Sequence, residues 1–241
     1  MNMDYNLEQL LKVYRNAKFY GIKKTDSRIR LLSEKYIETY WLSNNEMADY
    51  WLSIKDRVFR PDSKDLPHLM FNEDFELIAQ IGGDLFTKEE YHNLQQCMKA
   101  AGDRYFVLIE NEFVRDTKNY FPHLRYKFPV DTTWEMLNNG SEEFLDISYE
   151  TLFVDGKNFF VFGDSGKWGK YSAYGKSSLS NHIDTPVDII GFKPELAPVF
   201  QEYFKQPEED IEEIWERLPE SYKTLIKPPA PRSVQKINEL R

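Results

Sequence analysis

The chain contains a single cysteine, Cys97, and only four histidines (His68, His92, His123, His182), which stand far apart in its 241 residues. An internal disulfide is excluded, and a zinc site built from closely spaced Cys and His ligands has no basis. Long hydrophobic runs are missing too, the longest being stretches such as Phe159-Phe-Val-Phe162. A membrane-crossing helix needs about 20 consecutive, mostly apolar residues. The start Met1-Asn-Met-Asp-Tyr-Asn has neither the basic nor the apolar segment of a secretory signal. The expectation is a cytoplasmic protein with no membrane contact and no cofactor. Positive charge is also in deficit: 31 Lys+Arg face 40 Asp+Glu, a net charge of −9. Such a surface repels phosphate backbones, which disfavours nucleic acid as a partner.

Bulk and rings are what the chain has. It carries 17 Phe, 15 Tyr and 5 Trp and is 41% hydrophobic, too rich in large apolar side chains for a disordered polymer. Charge is distributed unevenly. Residues 1–35 hold eight basic and four acidic side chains, while residues 131–165 and 195–216 each hold eight carboxylates and one lysine. The negative charge therefore sits in the later half, where a basic protein partner would find it.

Periodicity gives the organisation. Leu7, Leu10, Leu11 and Tyr14 share a helical face that Gly21 closes, and Ile29, Leu32, Tyr36, Ile37, Tyr40 and Trp41 form a second apolar stripe. Ser43 and Glu46 have capping-box spacing before Met47, Tyr50, Trp51, Ile54 and Val58. The Arg60–Pro67 stretch, with its prolines, reads as a loop or linker. The domain expectation is a helical region over 1–66, an α+β sheet domain over 67–227 packed against it or forming one compact unit with it, and an extended tail over 228–241.

Within the sheet region, Phe75–Ile81 and Tyr105–Ile109 have strand composition and flank a helix that Thr87 and Glu90 cap and Gly102 ends. That order suggests a β-α-β unit with parallel strands. The helix would bury Tyr91, Leu94, Met98 and Ala101. Asp155-Gly156 between two apolar runs is a type I′ hairpin signal. A second hairpin has Gly163–Lys167 as its loop and Trp168–Tyr174 as its returning strand. Asp188–Phe192 is a last strand, and helices follow at Leu196–Phe204 and around Ile211, Ile214, Trp215 and Leu218.

Several constellations can be weighed for chemistry. Gly163-Asp164-Ser165-Gly166 matches the tetrapeptide around the nucleophile of chymotrypsin-like proteases, but a tight hairpin loop accounts for the same residues. Gly82-Gly83-Asp84 before a helix could offer amides to an anion, although Asp84, Glu89 and Glu90 oppose that. Glu110 and Glu112 share one sheet face without a third ligand, and solvated edge residues are the default. Cys97 reads as a packed small hydrophobe and His182 as a loop residue. Two features suit recognition: the aromatic hairpin with Trp168, Tyr171 and Tyr174 beside Asp164, whose rings core packing also explains, and the acidic helix start with Glu209, Asp210, Glu212 and Glu213, which the helix dipole also explains.

Residues 159–204, about a fifth of the chain, carry a family likeness. Phe159-Phe-Val-Phe-Gly-Asp-Ser-Gly166, then Trp168-Gly-Lys-Tyr-Ser172, a polar loop and Pro198-Val-Phe-Gln-Glu-Tyr-Phe204 resemble the core of the SUKH superfamily of bacterial immunity and regulatory proteins. The resemblance implies an α+β binding scaffold that neutralises a toxin by docking to it, without catalysis.

The expected fold is α+β: a helical N-terminal region, then a mixed β-sheet with hairpins, flanked by helices. The expected function is a non-enzymatic, immunity-like protein-binding module, monomeric or weakly dimeric, that docks a basic partner through an acidic and aromatic surface. A hydrolase with its site near Asp164 and Ser165 is the second reading, and a structural or regulatory domain the third.

Overall fold

A computed structural model describes residue 8 and residues 35–81, 86–111, 124–137, 158–173, 187–205 and 208–226. The first expected helix, the Asp155-Gly156 turn, Gly82-Gly83-Asp84, Glu112, Tyr174, His182 and the tail from 228 lie outside those residues. The rest forms an α+β fold around a six-stranded sheet. In chain order its strands are β1 (Glu76–Ile81), β2 (Tyr105–Glu110), β3 (Arg125–Pro129), β4 (Asn158–Gly163), β5 (Trp168–Ala173) and β6 (Val187–Phe192). The helices are α1 (35–40), α2 (Asn44–Glu46, Met47–Trp51 and Leu52–Val58 in succession), α3 (Lys88–Ala101), α4 (Trp134–Leu137), α5 (Ala197–Tyr203), α6 (Glu208–Arg217) and α7 (Glu220–Lys223).

The strand order is β1-β6-β5-β4-β2-β3, and every described pairing is antiparallel. This corrects two expectations. The sheet is not mixed, and β1 and β2 do not form a β-α-β unit. They run in the same direction, but β6, β5 and β4 lie between them. The short apolar runs and the intervening helix were legible, whereas the insertion of later strands between them depends on long-range pairing that local pattern does not encode.

Helices cover both faces of the sheet. On one face α1, α3 and α5 bury Tyr36, Ile37, Tyr91, Leu94, Met98 and Phe200 against Phe106, Phe128, Phe159, Val161, Trp168 and Phe192. On the other, α2, α6, α7 and the chain around Phe71 bury Trp51, Ile54, Phe59, Ile214 and Tyr222 against Val107, Phe160, Phe162, Tyr171 and Ile189. Every residue of β4, β5 and β6 is consequently buried. The expected aromatic docking surface is corrected here: Trp168 and Tyr171 are both core residues, pointing to opposite faces of a sheet that has no wet side. Trp168 packs with Phe200 at 6.5 Å, and Tyr171 with Phe160 at 5.0 Å between ring centroids.

Local signals set the helix ends as the sequence implies. In α3 the Thr87 hydroxyl accepts the Glu90 N–H at 3.1 Å while the Glu90 carboxylate accepts the Thr87 N–H, and Gly102 ends the helix at φ 81°. Ser43 caps α2 the same way, accepting the Glu46 N–H at 3.2 Å. The loop from Arg60 folds back on itself. Arg60 N–H donates to the Met70 carbonyl and Asn72 N–H to the Val58 carbonyl, and Phe59 bridges Phe71.

At Gly169 in β5, a side chain would place its Cβ 2.7 Å from both the Phe59 ring and Val58. The covering layer therefore touches the strand backbone itself. Gly169→Ala is expected to lower unfolding free energy by about 1–3 kcal/mol through overpacking. A urea titration of the two proteins measures it, with an unchanged midpoint contradicting this close approach.

Candidate functional site

Polar side chains gather in three places, two of them inside the protein. The first is the β4–β5 turn. The Asp164 carboxylate accepts the Arg104 N–H at 2.8 Å and the Tyr105 N–H at 3.3 Å, so this residue holds the turn and its side chain is almost fully buried. Ser165 Oγ accepts the Lys167 N–H at 3.3 Å, and Gly166 takes φ 67°, which a residue with a side chain rarely adopts. The hub is Asp103, which follows α3. It accepts the Ser165 N–H and the Trp168 indole N–H, both at 2.6 Å. Gly163 makes room for it, since a Cβ there would collide with the Asp103 carboxylate. Among the described residues no histidine bonds to Ser165; the tetrapeptide's polar groups are engaged in forming the turn.

Burial pushes the Asp103 carboxyl above its ordinary range, against the pull of its hydrogen bonds from Trp168 and Ser165. The folded protein therefore keeps this proton at pH values where the unfolded chain has released it. This group's contribution to stability falls as pH rises through that window and is constant on either side. We expect the Trp168 indole N–H resonance to titrate with a midpoint above the ordinary carboxylate range, and Asp103→Asn to abolish the titration. A midpoint at or below the ordinary value would contradict the burial argument.

The second place is the opposite end of the sheet. Of the eleven buried polar or charged residues among those described, eight (Asp65, Gln80, Glu110, Asn111, Asn158, Lys170, Ser172 and Asp188) lie at or beside the end formed by the C-termini of β1, β2 and β5 and the N-termini of β4 and β6, so polar burial is concentrated there. They split by face. On the α3 face, fully buried Lys170 bonds Glu90 of the α3 cap and Asp188 of β6 at 2.8 Å, with its ammonium 4.9 Å from the centre of the Phe86 ring. Gln80 donates to both carboxylates. Burial alone would lower the Lys170 pKa, but Asp188 and Glu90 hold it above its ordinary value. Burial and the Asp188 charge raise that of Glu90, against the Lys170 ammonium.

On the α2 face, Asp65 from the folded-back loop accepts the Tyr171 hydroxyl and, at 2.8 Å, the Asn158 amide. Asn111 donates to the Tyr171 hydroxyl at 2.8 Å and to the Lys64 carbonyl at 2.6 Å. This network fastens the loop to β4, β5 and the end of β2. Burial, then the Asp65 charge, puts the Tyr171 phenol well above its ordinary pKa, so it stays a donor. Glu110 is buried and accepts the Leu124 N–H at 2.8 Å, so it is not a solvated edge residue. Cys97 is buried as expected, its thiol pushed up to about 12 by burial.

The third place is outside. In α6, Ile214 and, just beyond the helix, Leu218 face the sheet, while Glu212, Glu213 and Glu216 face solvent and Asp210 is half-buried. Glu209 belongs to the same helix, its side chain outside the described set. Six carboxylates stand against one arginine along Glu208–Arg217, and Arg217 bonds Glu213. Of the residues expected to bind a partner, then, the acidic helix supplies accessible charge, whereas Asp164, Trp168 and Tyr171 serve the interior. Asp103, Lys170, Asp65, Asn111 and Asn158 were not singled out by the sequence. Only Glu90 had a local signal, as the capping partner of Thr87. No helix among the described residues is long and apolar enough to cross a membrane, and no group of three or more His, Cys, Asp or Glu among them could hold a metal ion. No family model, curated protein or solved structure matches the chain.

Lys170 carries the charge balance of its cluster. Lys170→Met would strand the buried Asp188 carboxylate and the partly buried Glu90, and a loss of about 3–5 kcal/mol in unfolding free energy is expected. Adding Glu90→Gln and Asp188→Asn should recover part of it. Denaturant titration of the single and triple variants tests this, and a single variant as stable as the parent would contradict it.

Proposed function

We propose that the chain is an immunity-like protein-binding module that docks a basic protein partner through the exposed acidic face of α6. The observation that carries this reading is the division of labour in that helix. Its Ile214 is committed to the core with Trp215 packed against it, and Glu212 and Glu216 remain in solvent beyond what the helix needs for its own packing. A first-turn carboxylate can be explained by the helix dipole, worth about 0.3–1 kcal/mol. Glu216 stands near the C-terminus, where negative charge opposes that dipole, so helix stability does not account for it. The aromatic share of the earlier surface expectation drops out, and the proposal rests on charge. Clustered charge of one sign steers a partner of the other and quickens encounter more than it deepens affinity.

Affinity purification from the native host with mass spectrometry identifies the partner. Its association rate with the purified chain is then measured at increasing salt. The rate is expected to fall as screening grows, since the Debye length shrinks from about 10 Å at 0.1 M to about 3 Å at 1 M. The variant Glu212→Lys/Glu213→Lys/Glu216→Lys should associate more slowly and with a flatter salt profile. A salt-independent rate, or a partner without basic surface, overturns the proposal.

A further inference from the structure

The two margins of the sheet are treated differently. At β3 the margin is engaged at its start: Trp41 pairs with Tyr126, Leu42 N–H donates to the Arg125 carbonyl at 3.1 Å, and Pro129 at the strand's other end has no N–H to offer. Arg125 and Lys127 place charge there as well, tied to Asn44 and Glu46 of α2. These are the devices by which proteins stop stray strands from adding to a sheet. At β1, among the described residues, neither a second pairing nor a proline nor a basic side chain occurs: Glu76-Leu-Ile-Ala-Gln-Ile81 pairs with β6 alone, and Glu76 is its one charge. Every second residue of a paired strand points its N–H and C=O away from its partner. Among the described residues, no backbone hydrogen bond reaches those outward groups of β1.

What surrounds this margin is acidic. Glu76 is exposed on β1 itself, and α6 packs against β1, its Ile214 in one apolar cluster with Leu77 and Ala79, with Glu212 and Glu216 turned to solvent. Glu73 and Asp74 precede the strand, paired with Arg60 and Lys193. A second copy laid antiparallel along β1 would bring two such acidic helices together, which like-charge repulsion opposes. An extended segment carrying lysine or arginine suits both the unpaired backbone and the charge. We propose that β1 is a strand-addition site whose occupant is a basic, extended segment of a protein partner. This rests on the acidic docking reading above and specifies its geometry: main-chain bonds to β1 supply affinity, and side chains facing α6 supply the charge match.

The probe is a short acetylated and amidated peptide of alternating lysine and valine, with two relatives: one with glutamate replacing lysine, and one N-methylated at alternate residues so that one edge cannot donate. Binding is followed by fluorescence anisotropy, and amide exchange is read at residues 76–81 of the full chain. The lysine peptide should bind and slow exchange at alternate residues of β1. N-methylation should weaken it by about tenfold or more, roughly 1.4 kcal/mol. Glu212→Lys/Glu216→Lys should weaken the lysine peptide while leaving the effect of methylation intact.

If methylation changes nothing while charge reversal still weakens binding, strand addition is overturned and the acidic docking reading survives. If the glutamate peptide protects β1 as well as the lysine peptide does, the basic occupant is overturned and the acidic reading with it. Unaltered exchange at 76–81 in the saturated complex overturns the site. Self-association of the chain with slowed exchange at 76–81 overturns it in favour of a second copy.

Discussion

A sheet covered on both faces has no wet side, and that constraint governs the rest of this molecule. In a half-exposed sheet, alternate residues of β5 would reach water. Here Lys170 and Ser172 point into one packed layer and Tyr171 into the other. Each polar group on the central strands must be accommodated internally, because an unpaired buried charge costs more than most contacts return. The Lys170 cluster, the Tyr171–Asp65 network and the Asp103 hub are three answers to that single demand.

These answers also stitch together distant parts of the chain. Asp103 joins the end of α3 to the β4–β5 turn, Lys170 joins β5 to the start of α3 and to β6, and Asp65 joins the folded-back loop to β4 and β5. Tyr222 of α7 adds a fourth link, accepting the Met70 N–H and donating to the His68 carbonyl, both at 2.8 Å. Hydrogen bonding of this kind is directional, so it specifies which loop meets which strand in a core whose apolar contacts alone would tolerate several arrangements. Recognition, in the proposed function, is left to the margins: a helix face and a strand edge.

What was legible in the sequence followed local rules. The Thr87/Glu90 and Ser43/Glu46 capping pairs, the Gly102 stop, the Gly163–Lys167 turn and the buried stripe Tyr91, Leu94, Met98 and Ala101 depend on neighbours within a few residues. Strand order did not follow, because β1 and β2 are separated by strands contributed much later in the chain. Whether the aromatic hairpin lay in the core or at the surface was left open for a related reason. Phe159-Phe-Val-Phe162 has no polar alternation, which is how a strand buried on both faces reads. Given that continuity, Trp168 and Tyr171 on the adjoining strand belong inside as well. Lys170 had no signal of its own, since its two carboxylates come from elements 80 residues before it and 18 after it.

The contrast between the two margins bears on how far this protein can assemble. Polymerisation by strand pairing requires two complementary faces, one to give and one to receive, repeated without closure. With the start of β3 engaged by Trp41 and Leu42, a chain joined at β1 has no equally open edge there to hand to the next. Among the described residues, edge pairing at β1 therefore has no matching margin from which to propagate.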